Sequence, residues 1–252
     1  MTFARLPRPP RGLARAAATL RVCAGLAALA ACSSPVSHFY TLGNSDAATT
    51  ARSATAPALL IEVPPVDVPS QVAKNQMVIQ TGPTQVQILE QERWASLPGD
   101  EIRRALSSDL TQQLGTIDVY GTAYPEGTPV YRVSVNVQRF ESWPGSHALI
   151  DAVWSVRAVG SQTIMTCRSV VNQPVTGSYD AVVDGHRQAV HEISMQIAAG
   201  IKAMAAAPQV HTAAPARKAS GVAARVVPVA LPCPAAAEPS ASVSGTGTGT
   251  NG

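Results

Sequence analysis

Cys32 is the residue of this chain whose setting points most directly to a chemical modification. It ends the run Leu29-Ala30-Ala31-Cys32, which has the pattern of a bacterial lipobox. A lipobox directs the attachment of diacylglycerol to the cysteine and cleavage of the chain just before it. Residues 1–31 would then be a lipoprotein signal peptide, and the mature protein would begin at an acylated (palmitate-bearing) Cys32. The alternative is an ordinary secretory signal cleaved near Ala31, which would leave Cys32 as a free thiol.

The residues before Cys32 have the charge and hydropathy of an export signal. No acidic residue precedes the cysteine, and an apolar run of roughly 10 residues leads up to it, too short to cross a bilayer. Five arginines make the leader basic: Arg5, Arg8, Arg11, Arg15 and Arg21. Because these are five of the 19 basic residues, the mature chain keeps 14 basic against 16 acidic residues, a net charge of −2. The basic composition therefore does not indicate nucleic-acid binding.

Other residues that could act in catalysis or bind a metal do not form a recognisable motif. The sequence has no Gly-x-Ser-x-Gly elbow and no His-Glu-x-x-His helix. Asp184, His186, His191 and Glu192 are the nearest to a metal cluster, but on a helix the two histidines lie roughly 140° apart. We therefore expect exposed helix residues here, with no metal and no cofactor.

The remaining mature cysteines, Cys167 and Cys233, either form a disulfide or stay free thiols. An oxidising periplasm would permit a Cys167–Cys233 disulfide, yet Cys233 lies in a low-complexity tail, so we expect one buried and one exposed free thiol.

The three tryptophans have different expected environments. Trp154 alternates with apolar residues and is expected in the core. Trp94 either packs a helix onto a hairpin or, together with the preceding Arg93, contacts a partner. Trp143 lies in a turn and is expected to contact a partner or lipid.

The chain divides into a leader, one folded region and a tail. Residues 32–57 hold the acylated N-terminus, a first strand and an Ala/Thr/Ser-rich tether. Residues 58–206 form the main domain, and residues 207–252, rich in Ala, Pro, Gly and Thr, are predicted to be disordered. No later stretch of the chain is apolar enough for a transmembrane helix.

Hydrophobic periodicity predicts a mixture of strands and helices. Period-two alternation or short apolar runs predict strands at 38–42, 58–63, 131–137, 148–158 and 164–171, with a hairpin at 77–89. Leucine or isoleucine at every fourth position predicts a helix from Asp100 to a stop at Gly115, and an apolar stripe predicts a second helix from Ser178 to Met204. This order indicates one α/β or α+β domain, with a mixed sheet and helices that cover it; we expect the α/β class.

Several segments together resemble the ABC-type transport auxiliary lipoprotein family, of the PqiC/YmbA-like kind. The segments that carry this resemblance are Ser37-His38-Phe39-Tyr40-Thr41-Leu42, Ile61-Glu62-Val63-Pro64, Glu92-Arg93-Trp94-Ala95, Val137-Gln138-Arg139-Phe140-Glu141, Asp151-Ala152-Val153-Trp154 and Tyr179-Asp180-Ala181-Val182. The sequence departs from the family at Gln87, Leu89 and Gln91, where relatives often have aromatic residues, and at Pro98, which falls one place late.

The resemblance implies a fold, a location and partners. It implies a three-layer α/β domain, anchored through Cys32 in outer-membrane lipid on the periplasmic face. Members of the family are non-enzymatic. They work with MCE-domain proteins and ABC-type permeases in lipid transport and membrane integrity, and some form homo-oligomeric rings. The alternative is a general envelope binding module, for a ligand or for the cell wall, with no transporter attached.

Overall fold

The computed structural model describes residues 35–43, 57–207 and 230–234, which form seven strands and two helices. Cys32, its leader, most of the tether and most of the tail lie outside these residues. The elements, in chain order, are β1 His38–Tyr40, β2 Leu60–Glu62, β3 Gln76–Gly82, β4 Gln85–Trp94, α1 Pro98–Leu114, β5 Val130–Trp143, β6 His147–Ala158, β7 Ile164–Pro174 and α2 Tyr179–Ala206. The predicted α/β class is confirmed.

The strands form two mixed sheets, whereas the sequence predicted one. A three-stranded sheet has the order β1-β4-β3, and a four-stranded sheet has the order β2-β5-β6-β7. The hairpins pair antiparallel, while β1 joins β4 and β2 joins β5 in parallel. Alternation predicts that a strand exists but does not specify its partner. The two short parallel strands therefore could join different hairpins without any change in the sequence pattern.

Helix α2 covers one face of the four-stranded sheet. Trp154 is 2% exposed, as predicted for a core residue, and the apolar stripe of α2 is buried with it. Gly200 permits the close approach, since a Cβ there would lie 2.9 Å from the Met165 sulfur and 3.4 Å from the Trp154 ring. The alternate residues of β5, including Arg132, Ser134 and Asn136, are exposed on the opposite face. The predicted wet face of this strand is confirmed.

The helix ends follow local sequence signals. Pro98 occupies the first turn of α1, where its missing N–H leaves no hydrogen bond unmade. Gly115 ends α1 with φ of 61°, a left-handed conformation that favours glycine. Ser178 caps α2, because its hydroxyl accepts a hydrogen bond from the Ala181 N–H. Helix α1 then packs along α2.

Part of the tail is ordered against the edge of β7, which corrects two predictions. Cys167 and Cys233 form a disulfide with their Cα atoms 5.7 Å apart, so the expected free thiols are wrong. The Leu231 N–H donates to the Ile164 carbonyl at 3.1 Å, and the Leu231 side chain packs on the core. These contacts hold residues 230–234 against the sheet, so the predicted disorder does not apply to this short segment.

Candidate functional site

Two segments on which the family resemblance rested lie side by side in the three-stranded sheet. The parallel register places His38 beside Glu92, Phe39 beside Arg93 and Tyr40 beside Trp94. Strand β1 is therefore an edge strand whose main partner is the Glu92-Arg93-Trp94-Ala95 segment. This pairing joins the part of the chain nearest to Cys32 to the body of the fold.

Glu92 fastens β1 to β4 through its side chain. It accepts a hydrogen bond from the Tyr40 hydroxyl at 2.6 Å and contacts His38 Nδ1 at 2.9 Å. Burial by itself would raise the pKa of Glu92, but the hydrogen bonds from Tyr40 and His38 outweigh it and lower that pKa. Burial and the hydrogen bond to Glu92 raise the pKa of Tyr40, so the phenol remains a donor. The pair therefore links the two strands with an ionised acceptor and a neutral donor.

Glu101 makes a second junction, between the end of β1 and the start of α1. Its side chain is 0% exposed and accepts hydrogen bonds from the Thr41 hydroxyl at 2.7 Å and the Leu42 N–H at 3.0 Å. It also accepts from the Ser96 N–H and hydroxyl and pairs with Arg104 at 2.6 Å. Burial would raise the pKa of Glu101, but these hydrogen bonds, together with the Arg104 charge, lower it. A buried carboxylate thus holds β1 from the helix side.

Trp94 lies in the interior, and its ring contacts are with a neighbouring strand and the second helix, not with the helix that directly follows it. The side chain is 2% exposed, and its ring centroid lies 5.9 Å from that of Phe140 and 6.3 Å from that of His186. Its ring therefore packs β4 against β5 and α2. The partner-contact alternative does not agree with this burial, because no ring surface is left to bind another protein.

His186 is part of the same cluster, although an exposed helix position was predicted for it. Its ring stacks on Phe140 at 3.9 Å, and Nε2 lies 2.8 Å from the Ser142 hydroxyl. Burial lowers the pKa of His186 to about 3, so the ring is neutral at physiological pH. The prediction failed because the helix is buried on a wider face than its aliphatic stripe indicates.

Of the four residues considered for a metal site, His186 lies in the aromatic cluster, and the other three side chains have different partners. Asp184 pairs with Arg187, His191 with Asp109, and Glu192 accepts from the Gln173 amide. Among the described residues no group of three histidine, cysteine or carboxylate side chains is arranged to hold a metal ion.

Two serine–histidine neighbourhoods lack the geometry of an activated nucleophile. Ser142 and His186 are both buried, so no substrate reaches their hydrogen bond. Ser194 lies near His191, but its hydroxyl donates to the His191 carbonyl at 2.7 Å and contacts Asp109 at 3.3 Å. A nucleophile would instead have to donate to the imidazole ring. Neither arrangement supports hydrolysis.

A cleft of about 450 Å³ lies between the two helices. Asp109 and His191, 3.1 Å apart, lie on its wall, and Leu42 and Ala105 form its apolar part. Each of its ionisable side chains has a partner: His191 pairs with Asp109 within the lining, Glu192 accepts from Gln173, and Arg187 pairs with Asp184 outside the lining.

Arg93 and Trp143, the other two predicted interface residues, remain at the surface. Arg93 donates from Nε to the Glu90 carbonyl at 2.7 Å, and its side chain is 35% exposed. Trp143 is half-buried beside the β5–β6 turn, donates to Glu141 at 3.1 Å and stacks on His147 at 5.6 Å. Both side chains are held in place by neighbours and still present a face to solvent. Their role as contacts stays a prediction.

No local sequence pattern indicates that Glu92 and Glu101 organise the fold. Glu101 lies in the first turn of the predicted helix, but its partners Thr41 and Leu42 are distant in sequence. A signal for the disulfide did exist: once Cys32 is acylated, two cysteines remain in the mature chain, and they can form one pair.

No helix in the described part of the chain is both long and apolar enough to span a membrane. A search of curated proteins found no significant match. Among solved structures, the fold is similar to an uncharacterised protein with 23% identity and a TM-score of 0.54, a match that covers 66% of this chain and 99% of that one.

Two further solved structures give weaker matches. A protein from Xanthomonas campestris has 15% identity and a TM-score of 0.41, covering 60% of this chain and 93% of that one. A putative lipoprotein from Caulobacter crescentus CB15 has 14% identity and a TM-score of 0.29, covering 42% and 85%.

The family model described as the ABC-type transport auxiliary lipoprotein component matches residues 40–198. This range begins at the last residue of β1, contains Glu92 and Glu101 and ends within α2, so it covers nearly all of the two sheets and the two helices. It is more than half of the 252 residues. The chain therefore belongs to the family of ABC-type transport auxiliary lipoprotein components.

Proposed function

We propose that this protein is a non-enzymatic auxiliary lipoprotein of an ABC-type lipid transport system, anchored by acylated Cys32 in the outer membrane and facing the periplasm. Membership of the auxiliary lipoprotein family supports the class of protein. The lipobox supports the anchor, and Ser33 supports the outer membrane, because an aspartate at that position commonly retains lipoproteins at the inner membrane.

The observation that carries the proposal is the way in which the anchored end of the chain enters the fold. His38, only six residues after Cys32, begins β1 and pairs with Glu92. An extended chain gains at most about 3.6 Å per residue, so this connection reaches no more than about 22 Å. An acylated Cys32 would hold the domain close to the membrane surface.

A short connection to the anchor can position the domain only if β1 is firmly attached to the rest of the fold. Glu92 and Glu101 bind β1 from two sides, through contacts with His38, Tyr40, Thr41 and Leu42. Force applied to the lipid anchor therefore passes directly into the sheet and into α1. The protein would work as a positioned scaffold that presents its surfaces to an MCE-domain partner and to further copies of itself.

Replacement of the cysteine tests the anchor. Cys32→Ser should release the protein from membranes while its unfolding midpoint stays unchanged, because residue 32 precedes every described element. Ser33→Ala is the matched control and should remain in the outer membrane. A Cys32→Ser protein that resists a high-salt wash would refute the anchor.

The position after the cysteine tests the choice of membrane. Ser33→Asp should move the acylated protein to the inner membrane in a density-gradient separation, whereas Ser33→Ala should not. If both variants separate with the inner membrane, the outer-membrane assignment is wrong.

Site-specific crosslinking tests the partners. A photoreactive residue at Trp143 should link the protein to an MCE-domain protein in intact cells, with Arg157 on the wet sheet face as a comparison position. Crosslinking between copies should give regular multiples of one mass. Exclusive capture of cell-wall material would instead favour the envelope binding module.

A further inference from the structure

The most exposed large apolar side chain from His38 onward, within the described residues, is Phe39, which is 67% exposed. It lies in the edge strand β1, and its cross-strand neighbour is Arg93. A single exposed apolar residue needs no explanation by itself. Phe39, however, is also only seven residues after Cys32, which places it within about 25 Å of the lipid anchor.

We propose that Phe39 and Arg93 form a membrane-contact patch, with the phenyl ring in the interfacial layer of the bilayer and the guanidinium at the phosphate groups. The inference rests on the proposed acylation of Cys32. It goes beyond that proposal because it assigns the protein side chains that touch the lipid and therefore the orientation of the domain.

The pairing of an aromatic ring with a cation is suited to a bilayer surface. An apolar side chain gains free energy when it leaves water for the interfacial layer, and a neighbouring cation is attracted to anionic headgroups. In the parallel register Phe39 and Arg93 are direct partners, so both can reach one plane of lipid.

Arg93 has capacity left for such a contact. Its Nε donates to the Glu90 carbonyl, and one terminal nitrogen lies 3.5 Å from the Glu90 carboxylate, a long and exposed ion pair. No contact of its other terminal nitrogen occurs among the described residues. A phosphate oxygen could therefore bind there without breaking a short internal bond.

The fold supplies the rigidity that a contact patch requires. His38 and Tyr40, on either side of Phe39, are both bound to Glu92. The backbone of residue 39 is thus fixed on both sides, and its side chain is presented outward. The membrane would be contacted by an ordered strand, and the rest of the domain would take a defined tilt.

Fluorescence quenching by lipids tests this patch on the full, acylated protein. In Phe39→Cys the new thiol is the only free one expected, because Cys32 is acylated and Cys167 pairs with Cys233. It can be labelled with nitrobenzoxadiazole. The protein is reconstituted into vesicles of phosphatidylethanolamine and phosphatidylglycerol that contain a nitroxide-labelled lipid. Val170→Cys is the matched control, since Val170 is also apolar and is 57% exposed on β7.

We expect blue-shifted emission and strong quenching for the label at residue 39, and neither for the label at residue 170. Equal weak quenching at both positions would overturn the proposal. Blue-shifted emission without lipid quenching would also overturn it, in favour of a protein covering the patch. Adding Arg93→Gln should reduce quenching at residue 39, and more so in vesicles rich in phosphatidylglycerol.

Two controls keep the outcome interpretable. The urea unfolding midpoint of each labelled protein should match that of the unlabelled chain, because both side chains are exposed. Retention on the vesicles after a high-salt wash reports the anchor separately. Protein that is retained but not quenched refutes only the patch, whereas protein that is not retained refutes the acyl anchor.

Discussion

Replacing Glu101 should detach the anchored end of the chain from the fold. The carboxylate is fully buried and accepts from Thr41, Leu42 and Ser96 while it pairs with Arg104. In Glu101→Ala these donors lose their common acceptor inside the protein. Arg104 is 54% exposed and can be solvated, but each buried donor left without an acceptor costs about 1–3 kcal/mol, so loss of several such bonds should lower the free energy of unfolding by about 3–5 kcal/mol.

A more conservative substitution separates the effect of the carboxylate charge from the effect of the side-chain volume. Glu101→Gln keeps the volume and one acceptor oxygen but places an amide NH₂ against donors. Hydrogen bonds to a charged group contribute about 1.5–3 kcal/mol, so we expect an intermediate loss. Asp100→Asn is the matched control, because Asp100 is the adjacent carboxylate in the same first turn and is exposed.

The contribution of Glu101 to the free energy of unfolding should decrease as the pH falls. Its pKa is lowered in the folded state, so its contribution to stability is complete above the unfolded value of about 4.3 and disappears as the pH falls through the folded value. Urea unfolding from pH 7 to pH 3 should show wild type and Glu101→Gln converging at the acidic end.

Hydrogen exchange provides the local readout. The Leu42 amide and the amides of β1 should exchange faster in both Glu101 variants, while those of β6 should follow the global change only. The reasoning is refuted if Glu101→Gln is as stable as Asp100→Asn at pH 7, or if β1 keeps its protection.

Two further changes test the aromatic cluster and the tail. The pKa of His186 is lowered to about 3, so below pH 6.5 the unfolded chain binds a proton that the folded chain does not, and stability should fall by about 1.4 kcal/mol for each pH unit. His186→Phe should flatten this slope in urea unfolding between pH 7 and pH 4, and an unchanged slope would contradict the assignment. Cys233→Ser should lower stability by about 4 kcal/mol, given the 66-residue separation of the disulfide. A reducing agent should then destabilise the wild type and leave the variant unchanged; equal responses would contradict the disulfide.

Most elements of this fold could be predicted from local patterns. The alternation at 131–137, the four-residue repeat in α1 and the stop at Gly115 each depend on neighbours in the sequence. The burial of Trp154 followed from the same alternation. These predictions hold because a strand or helix with one buried face imposes its period on the chain.

Partners distant in sequence could not be predicted in this way. Alternation along β4 cannot bury both Leu89 and Trp94, which are five positions apart, yet both are buried. The ladder with β3 is irregular between these positions, since Gln76 pairs with Arg93 and the next residue pairs with Leu89. An irregularity of this kind turns a strand onto its other face. The interior position of Trp94 therefore depends on the irregular pairing of β4 with β3, in which β4 carries the extra residues, and the Glu92-Arg93-Trp94-Ala95 segment alone does not reveal it.

The parallel pairing of β1 has a consequence for the order of events as the chain is made and exported. His38 is separated from its partner Glu92 by 54 residues, and Leu42 from Glu101 by 59. Closing such long loops gives no stabilisation until the distant partner is present, so β1 joins after the β3–β4 hairpin and the start of α1. The stretch beside Cys32 thus emerges first and becomes structured late. On the proposed acylation of Cys32, a modifying enzyme in the membrane would meet the cysteine while β1 is still unpaired.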